Sequence, residues 1–314
     1  MSGAPQRTGL SPTEASAAVD LGEMDAAELA AAMLRAEAAI PAAIEPELPS
    51  IARAIDAVAG RLGAGGRLVL VGAGTSGRLA LLQSSEVGPT FGLEPGVIVA
   101  VLAGLGTSTD PCDPIATDDA TEDDATAGAR AMVDLAVGPL DAVVGIAASG
   151  RTPFTVAALE TAAGRGSLAV AVACVDPSPL ARAAAIAIHP IVGPELLAGS
   201  TRLAAGSTTK LVLDMLTTGA MVRLGRVHRD RMVDVRASNA KLRDRAVRIV
   251  ADLTGRDDHE ARAALESVGW WARAAIVRLE LGMDADAARA RAAAHPSLAD
   301  ALADRPAGRE PGDA

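Results

Sequence analysis

The chain of 314 residues is poor in aromatic side chains, with no tyrosine, two phenylalanines and two tryptophans. Single-stranded nucleic acid is commonly bound by stacking bases on aromatic rings, so this composition argues against such a partner. Basic residues are also in deficit, because 29 lysines and arginines face 39 aspartates and glutamates and leave a formal net charge of −10. Duplex nucleic acid and anionic membranes attract a basic surface, and we predict that neither is a partner.

Features of secreted, membrane and metal-binding proteins are missing as well. No apolar run approaches the roughly 18 residues of a membrane span, and residues 1–20 show no signal-peptide pattern. Two cysteines, Cys112 and Cys174, make neither a disulfide framework nor a thiolate zinc site. Metal-ligand spacing is absent among the four histidines, which are His189, His228, His259 and His295. These absences predict a cytoplasmic protein with no metal site built from cysteine or histidine.

Half of the residues are hydrophobic, and their spacing changes along the chain. Residues 23–60 have helical spacing interrupted by three prolines, and a second helix is predicted from Ile51 to Leu62, with its end at Gly63. Continuous apolar runs then predict buried parallel strands at 67–71, 96–102, 141–147 and 167–174, with a short fifth from the segments 186–188 and 190–192. Helical segments alternate with these runs, so the expected fold is α/β: a doubly wound parallel sheet flanked by helices.

Three regions follow from this pattern. We predict an N-terminal helical segment at 1–50, an α/β domain at 51–245 and a small all-helical C-terminal region at 246–314. The helix predicted at 207–224 is apolar around much of its circumference. Such a helix is buried in the core or in an oligomer interface.

Three loops rich in glycine, serine and threonine each precede a predicted helix: loop 1 at 72–77, loop 2 at 148–152 and loop 3 at 198–203. Glycine lets the backbone approach a ligand closely, while hydroxyls and the N–H groups of a helix N-terminus donate to phosphate. Loop 1 matches the GxGxxG dinucleotide pattern, but no acidic residue ends the second strand to bind a ribose. Each loop alone fits an ordinary helix cap. Together on one sheet edge, they favour a sugar-phosphate site.

Four blocks of sequence, in the same order as in a known family, resemble that family. They are VGAGTSGRL at 71–79, SEVGPTFG at 85–92, GIAASGRTP at 145–153 and GSTRL at 199–203. The blocks resemble the signatures of the N-acetylmuramic acid 6-phosphate etherases, and the likeness runs through nearly the whole chain. It implies a SIS (sugar isomerase) domain, a homodimer, and C-terminal helices resembling a ubiquitin-associated fold. It also implies a carbon–oxygen lyase of amino-sugar recycling that uses no metal and no cofactor. Such an enzyme converts N-acetylmuramic acid 6-phosphate into N-acetylglucosamine 6-phosphate and D-lactate.

This chemistry requires two acid/base groups in opposite starting protonation states. In the open-chain aldehyde, the carbonyl acidifies the C2 proton, which a base removes while an acid protonates the departing lactyl oxygen at C3. The resemblance places the proton donor at Glu86 and the second catalytic glutamate at Glu122. We expect the first helix of the sheet domain to end at Gly88-Pro89, which puts Glu86 at the negative end of the helix dipole and favours its protonated form.

Ordinary structural roles compete with both assignments. The position of Glu86 is also typical of an ordinary glutamate at the end of a helix, with no catalytic role. Acidic residues near Glu122 also complement the dipole of a first helical turn, and Thr121 with Asp124 resembles a capping box. The stretch 104–120 before Glu122 is longer than the family pattern.

Hydroxyl and guanidinium groups of the three loops are the predicted phosphate and sugar ligands: Thr75, Ser76, Ser149, Arg151, Thr152, Ser200 and Thr201. Arg151 has an alternative role as an intersubunit or intraloop ion-pair partner. The chain also departs from the family pattern. QSSEVGP at 83–89 replaces Asp-Ala-Ser-Glu-Cys-Pro-Pro, and Ala204 replaces a basic residue whose place Arg202 or Lys210 could take.

Two other functions remain open. A SIS sugar-phosphate isomerase would use the same loops and one base that moves a proton between C1 and C2. A non-catalytic regulator similar to the glucokinase regulatory protein would bind the sugar phosphate only. The presence of both Glu86 and Glu122 argues against the isomerase, and the presence of Glu86 argues against the regulator.

Overall fold

The computed structural model describes residues 12–108, 119–235, 237 and 239–303. These residues form two compact units. The first contains the described residues up to Ser85 and then Pro95–Gly219, and the second contains Glu86–Glu94 and the described residues from Ala220 onward. No helix in these ranges combines the length and apolar character needed to cross a membrane.

Short helices precede the sheet of the first unit: a 3₁₀ helix at Pro12–Glu14, α1 (Ala26–Glu37), α2 (Ile40–Ile44), a 3₁₀ helix at Glu45–Glu47 and α3 (Leu48–Gly63). Prolines that interrupt the helical pattern lie in the first turn of successive helices. A first-turn N–H has no partner within its helix, so proline is tolerated there. The predicted end of α3 at Gly63 is confirmed.

The sheet has six strands: β1 (Leu68–Gly72), β2 (Ile98–Leu102), β3 (Gly106–Ser108), β4 (Ala142–Ile146), β5 (Leu168–Val172) and β6 (Ile186–Ile188). Their order is β3-β2-β1-β4-β5-β6, and all neighbours are parallel except β3, which runs antiparallel at the edge. The five predicted parallel strands and the doubly wound α/β fold are therefore confirmed. The edge strand β3 was not predicted.

Helices cover the sheet: α4 (Gly74–Phe91), α5 (Ala125–Asp134), α6 (Pro153–Gly164), α7 (Pro179–Arg182) and α8 (Ala204–Arg223). One core forms where Val69 and Val71 of β1 meet Met132 of α5 with Phe154 and Leu159 of α6. Each fully buried side chain of this size contributes about 1.5–3 kcal/mol. The long helix predicted at 207–224 is α8, which starts three residues earlier.

Strand order places the carboxyl ends of β1 and β4 at the ligand position typical of such sheets. From β1 the chain proceeds to β2 on one side, whereas from β4 it proceeds to β5 on the other. Connections that leave in opposite directions open a crevice beyond the two strand ends. Loops 1 and 2 follow β1 and β4, so both border this crevice.

The second unit contains the hairpin β7 (Val227–His228) and β8 (Arg231–Met232), then α9 (Ala240–Thr254), α10 (Asp258–Ser267), α11 (Ala272–Leu281), α12 (Ala285–Ala294) and α13 (Leu298–Ala303). Its helices surround their own apolar core, which includes Val250, Leu265 and Ile276. Buried Asp234 joins the hairpin to α11, because its Oδ2 lies 2.5 Å from Nη2 of Arg273. The predicted helical C-terminal region is confirmed.

Candidate functional site

Loop 1 turns sharply from β1 into α4. A Cβ on Gly77 would lie 2.7 Å from the carbonyl oxygen of Gly72 and 2.1 Å from Cδ1 of Leu102, so a larger residue does not fit. Gly74 has a φ of +52°, which disfavours other residues. Partly exposed Thr75 and Ser76 lie in the first turn of α4, where the backbone N–H groups lack intrahelical acceptors.

Glu122 lies beside loop 1. It belongs to a 3₁₀ helix at Asp119–Asp123, is exposed, and its Oε2 lies 3.9 Å from the position of a Cβ built on Gly74. The alternative role in a first helical turn is wrong, since α5 begins at Ala125 and its N-cap Asp124 accepts the N–H of Ala127 at 2.9 Å. Asp124 therefore caps the helix, and Glu122 precedes it.

Loop 2 presents Ser149, Arg151 and Thr152 at the start of α6. Thr152 occupies the N-cap position, but its side chain makes no capping hydrogen bond. Nη2 of Arg151 lies 2.5 Å from Oε1 of Glu14. Arg151 therefore forms an ion pair, but its partner lies in the N-terminal 3₁₀ helix of the same chain, and neither within the loop nor in a second subunit as the alternative role expected.

Loop 3 depends on a residue that the sequence analysis missed, Glu195. This glutamate is fully buried, and its two carboxylate oxygens accept the N–H groups of Ala204 at 3.0 Å and Ala205 at 2.9 Å. Burial raises the pKa of Glu195, and these two bonds oppose the rise. Since the carboxylate occupies the first N–H groups of α8, loop 3 offers a ligand the hydroxyls of Ser200 and Thr201.

One signal could have identified Glu195. It is the single acidic residue in the apolar stretch 186–198 that leads to loop 3. A charged side chain in such a stretch is buried only when it is paired or hydrogen-bonded.

The thiol of Cys174 is buried near Glu195. Its burial, and to a smaller extent the charge of Glu195, raises the pKa of Cys174 to about 12, so this thiol is not an available nucleophile.

Loops 1 and 3 lie side by side. A Cβ on Gly206 of α8 would lie 3.8 Å from Cγ2 of Thr75 and 3.3 Å from the carbonyl oxygen of Thr201. Loop 2 follows β4, the direct sheet neighbour of β1. The first unit therefore brings Glu122 and the predicted loop ligands to one edge of the sheet.

Glu86 belongs to the second unit, whereas Glu122 and the three loops belong to the first. The predicted end of its helix at Gly88-Pro89 is wrong, because α4 continues through Pro89 to Phe91. Proline removes one helical hydrogen bond, and Thr90 Oγ1 donates to the Glu86 carbonyl at 2.6 Å. The helix ends before Gly92, whose φ is +64°. Glu86 thus precedes the last turn, where the dipole effect is largest.

The two candidate substitutes for the missing basic residue differ. Nζ of Lys210 lies 2.6 Å from Oδ1 of Asp214 one turn along α8. Arg202 is exposed within loop 3. Arg202 is therefore better placed than Lys210 to take the role of the missing basic residue.

Across the described ranges, no three histidine, cysteine, aspartate or glutamate side chains group closely enough to hold a metal ion.

Comparison with known proteins gives consistent matches. Residues 50–163 match the glucokinase regulatory protein N-terminal SIS domain, and residues 122–222 match the SIS domain. The chain is 52% identical over 279 residues to an N-acetylmuramic acid 6-phosphate etherase of Rubrobacter xylanophilus, covering 88% of this chain and 90% of the relative. Etherases of Serratia proteamaculans (44% over 286 residues; 91% and 95% covered) and Symbiobacterium thermophilum (53% over 241 residues; 77% and 78% covered) also match.

Proposed function

The chain belongs to the N-acetylmuramic acid 6-phosphate etherase family, and we propose that it converts N-acetylmuramic acid 6-phosphate into N-acetylglucosamine 6-phosphate and D-lactate. The observation that carries this proposal is the exposed Glu122 carboxylate beside Gly74, at an edge with three hydroxyl-bearing loops. A sugar-phosphate enzyme that removes a proton from carbon needs a base next to its anion-binding loops.

The phosphate is assigned to loop 2. A dianion is repelled by carboxylates, and Glu195 already occupies the start of α8 while Glu122 stands beside the start of α4. At loop 2 the carboxylate of Glu14 is paired with Arg151, and the remaining N–H donors of that guanidinium and the Thr152 hydroxyl, which does not cap its helix, are available to phosphate. Hydroxyls of Ser149, Ser200 and Thr201 complete the anion site, while Thr75 and Ser76 contact the sugar.

Two glutamates carry the proton transfers. Glu122 is the base and takes the C2 proton of the open-chain aldehyde, while Glu86 is the acid and gives a proton to the ether oxygen as the C3–O bond breaks. D-lactate leaves, and an α,β-unsaturated aldehyde remains. Water then adds at C3 as Glu86 takes one of its protons, and Glu122 returns a proton to C2. Both carboxyl groups regain their starting states, so the cycle balances.

Isotope labelling tests this sequence. In water containing deuterium and heavy oxygen, we expect deuterium at C2 and heavy oxygen at C3 of the product, with an unlabelled lactate hydroxyl. Label in that hydroxyl would contradict elimination, because it would require cleavage on the lactyl side of the ether oxygen.

Matched variants test the residue roles. Glu122→Gln and Glu86→Gln should each lower the rate of lactate release by about 10²- to 10⁴-fold, the usual contribution of a general acid or base. Asp123→Asn is the control, since Asp123 is exposed next to Glu122 on the same 3₁₀ helix. Equal losses in Asp123→Asn and Glu122→Gln would contradict the assignment of Glu122.

Binding without catalysis is the alternative favoured by one observation, the match of residues 50–163 to the regulatory-protein SIS domain. A regulator would bind N-acetylglucosamine 6-phosphate and release no lactate from the muramic acid substrate. An isomerase would also release no lactate, but it would exchange the C2 proton of a sugar phosphate with solvent. A single lactate assay therefore separates the etherase from both.

The proposal also includes a cytoplasmic homodimer. Support comes from α8, where Leu211 remains 41% exposed and Val222 49% exposed. Apolar side chains on a long helix favour coverage by a second copy. Light scattering after size-exclusion chromatography should give twice the mass of the chain, and a monomer mass would refute the dimer.

A further inference from the structure

The N-terminal 3₁₀ helix, Pro12–Glu14, contacts two of the three loops. We call it the strap. The carbonyl oxygen of Thr13 accepts the backbone N–H groups of Glu195 at 3.4 Å and Gly199 at 3.0 Å. Thr13 is fully buried. The strap is therefore packed onto the segment that enters loop 3.

The neighbouring residue of the strap reaches loop 2. Oε1 of Glu14 lies 2.5 Å from Nη2 of Arg151, with the two side chains 27% and 49% exposed. Two consecutive residues, Thr13 and Glu14, thus connect loop 3 and loop 2. A long arginine side chain loses considerable rotamer freedom when a ligand has to order it. A carboxylate that already holds the guanidinium removes part of that cost.

We propose that Glu14 is a positioning residue, which holds the Arg151 guanidinium in place to receive the substrate phosphate. This inference rests on the proposed function. The ion pair engages Nη2, and a guanidinium has five N–H donors, so Arg151 can hold Glu14 and a phosphate together. Because Thr13 is anchored to loop 3, the strap fixes Glu14, and thereby Arg151, relative to the Ser200 and Thr201 hydroxyls.

The main test is Glu14→Gln, which removes the charge and keeps the size. We expect KM for the muramic acid substrate to rise about three- to fivefold, in line with a half-exposed ion pair, while kcat changes less than about twofold. The inhibition constant of inorganic phosphate should rise by the same factor, because phosphate needs Arg151 but no sugar contacts. Glu14→Asp should recover part of the loss.

A double-mutant cycle shows whether Glu14 acts through Arg151. In an Arg151→Gln background, Glu14→Gln should have no further effect on KM or on phosphate inhibition. Glu45→Gln is the control, since Glu45 is an exposed glutamate on the 3₁₀ helix Glu45–Glu47 of the same unit. A melting temperature for each variant identifies those that fold normally, and Glu14→Asp provides a second variant with the charge retained.

Several outcomes would overturn the inference. Tighter phosphate binding by Glu14→Gln would mean that Glu14 competes with phosphate, and additive effects in the cycle would mean that it does not act through Arg151. An unchanged KM, or a loss confined to kcat, would also refute positioning. Wild-type protein that neither releases lactate nor responds to phosphate would refute the proposed function, whereas active wild type with an unaffected Glu14→Gln would refute this inference alone.

Discussion

Replacing Glu195 by glutamine tests how α8 and loop 3 are held. The substitution keeps the size of the side chain but changes one acceptor oxygen into an NH₂ donor. Each carboxylate oxygen now accepts one backbone N–H, from Ala204 or Ala205. After the change, one of these N–H groups faces another donor, and water cannot replace the lost acceptor because residue 195 is fully buried.

Leaving a buried donor unsatisfied costs about 1–3 kcal/mol. For a protein of this size, each kcal/mol lowers Tm by roughly 2–4 °C, so we expect a decrease of roughly 2–12 °C in scanning calorimetry. Loss of the anchor also loosens the loop that carries Ser200 and Thr201, so KM should rise. Glu160→Gln is the matched control, because Glu160 is exposed on α6. An unchanged Tm and KM would refute the assigned role of Glu195.

The pH dependence provides a second check with a defined sign. Burial raises the pKa of Glu195 above its unfolded value, in spite of the two N–H bonds. The folded state therefore binds the proton more tightly, so the contribution of this group to stability is fully present below the unfolded pKa and is lost as pH rises through the folded pKa. The stability gap between wild type and Glu195→Gln should widen as pH falls from about 8 to about 5. A gap that narrows would mean that the N–H bonds outweigh burial.

Three further substitutions test other parts of the structure. Asp234→Asn leaves Arg273 without its buried counter-charge, so we expect the free energy of unfolding, measured by urea titration, to fall by about 3–5 kcal/mol. An unchanged midpoint of the urea transition would contradict this. Gly77→Ala forces a Cβ to 2.7 Å from the Gly72 carbonyl oxygen, and kcat/KM for lactate release should fall at least about tenfold. Met132→Ala empties a fully buried position between α5 and the sheet and should cost about 2–5 kcal/mol with kcat nearly unchanged.

Strand positions were predictable because buried parallel strands are continuous apolar runs. The strands β1, β2, β4 and β5 end within two residues of the expected positions, whereas β6 forms from the first predicted segment, 186–188, and not from 190–192. The antiparallel strand β3 at Gly106–Ser108 has no such signal, since three residues of glycine, threonine and serine also fit a turn. Pro89 misled the prediction of α4, because one lost hydrogen bond does not end a helix that continues to a left-handed Gly92.

Contacts between distant parts of the chain were beyond prediction from sequence. Arg151 and Glu14 are separated by 137 positions, and no spacing rule connects them. The proximity of Glu122 to Gly74 likewise arises from the sheet order, which brings the segment before α5 back to β1. Family resemblance could assign roles to these residues, but the contacts themselves come from the fold.

The three loops look alike in sequence, yet their helix N-termini differ in the charge that stands beside them. A run of glycine, serine and threonine before a helix predicts an anion site only when the N–H groups remain available to a ligand. At α8 the buried carboxylate of Glu195 takes them, and at α4 the exposed carboxylate of Glu122 stands nearby. At α6 the neighbouring carboxylate, Glu14, is paired with Arg151, and the guanidinium attracts phosphate through its remaining N–H donors. The same helix geometry can therefore leave one loop with only its side chains to offer an anion, place a base beside a second and seat the phosphate at the third.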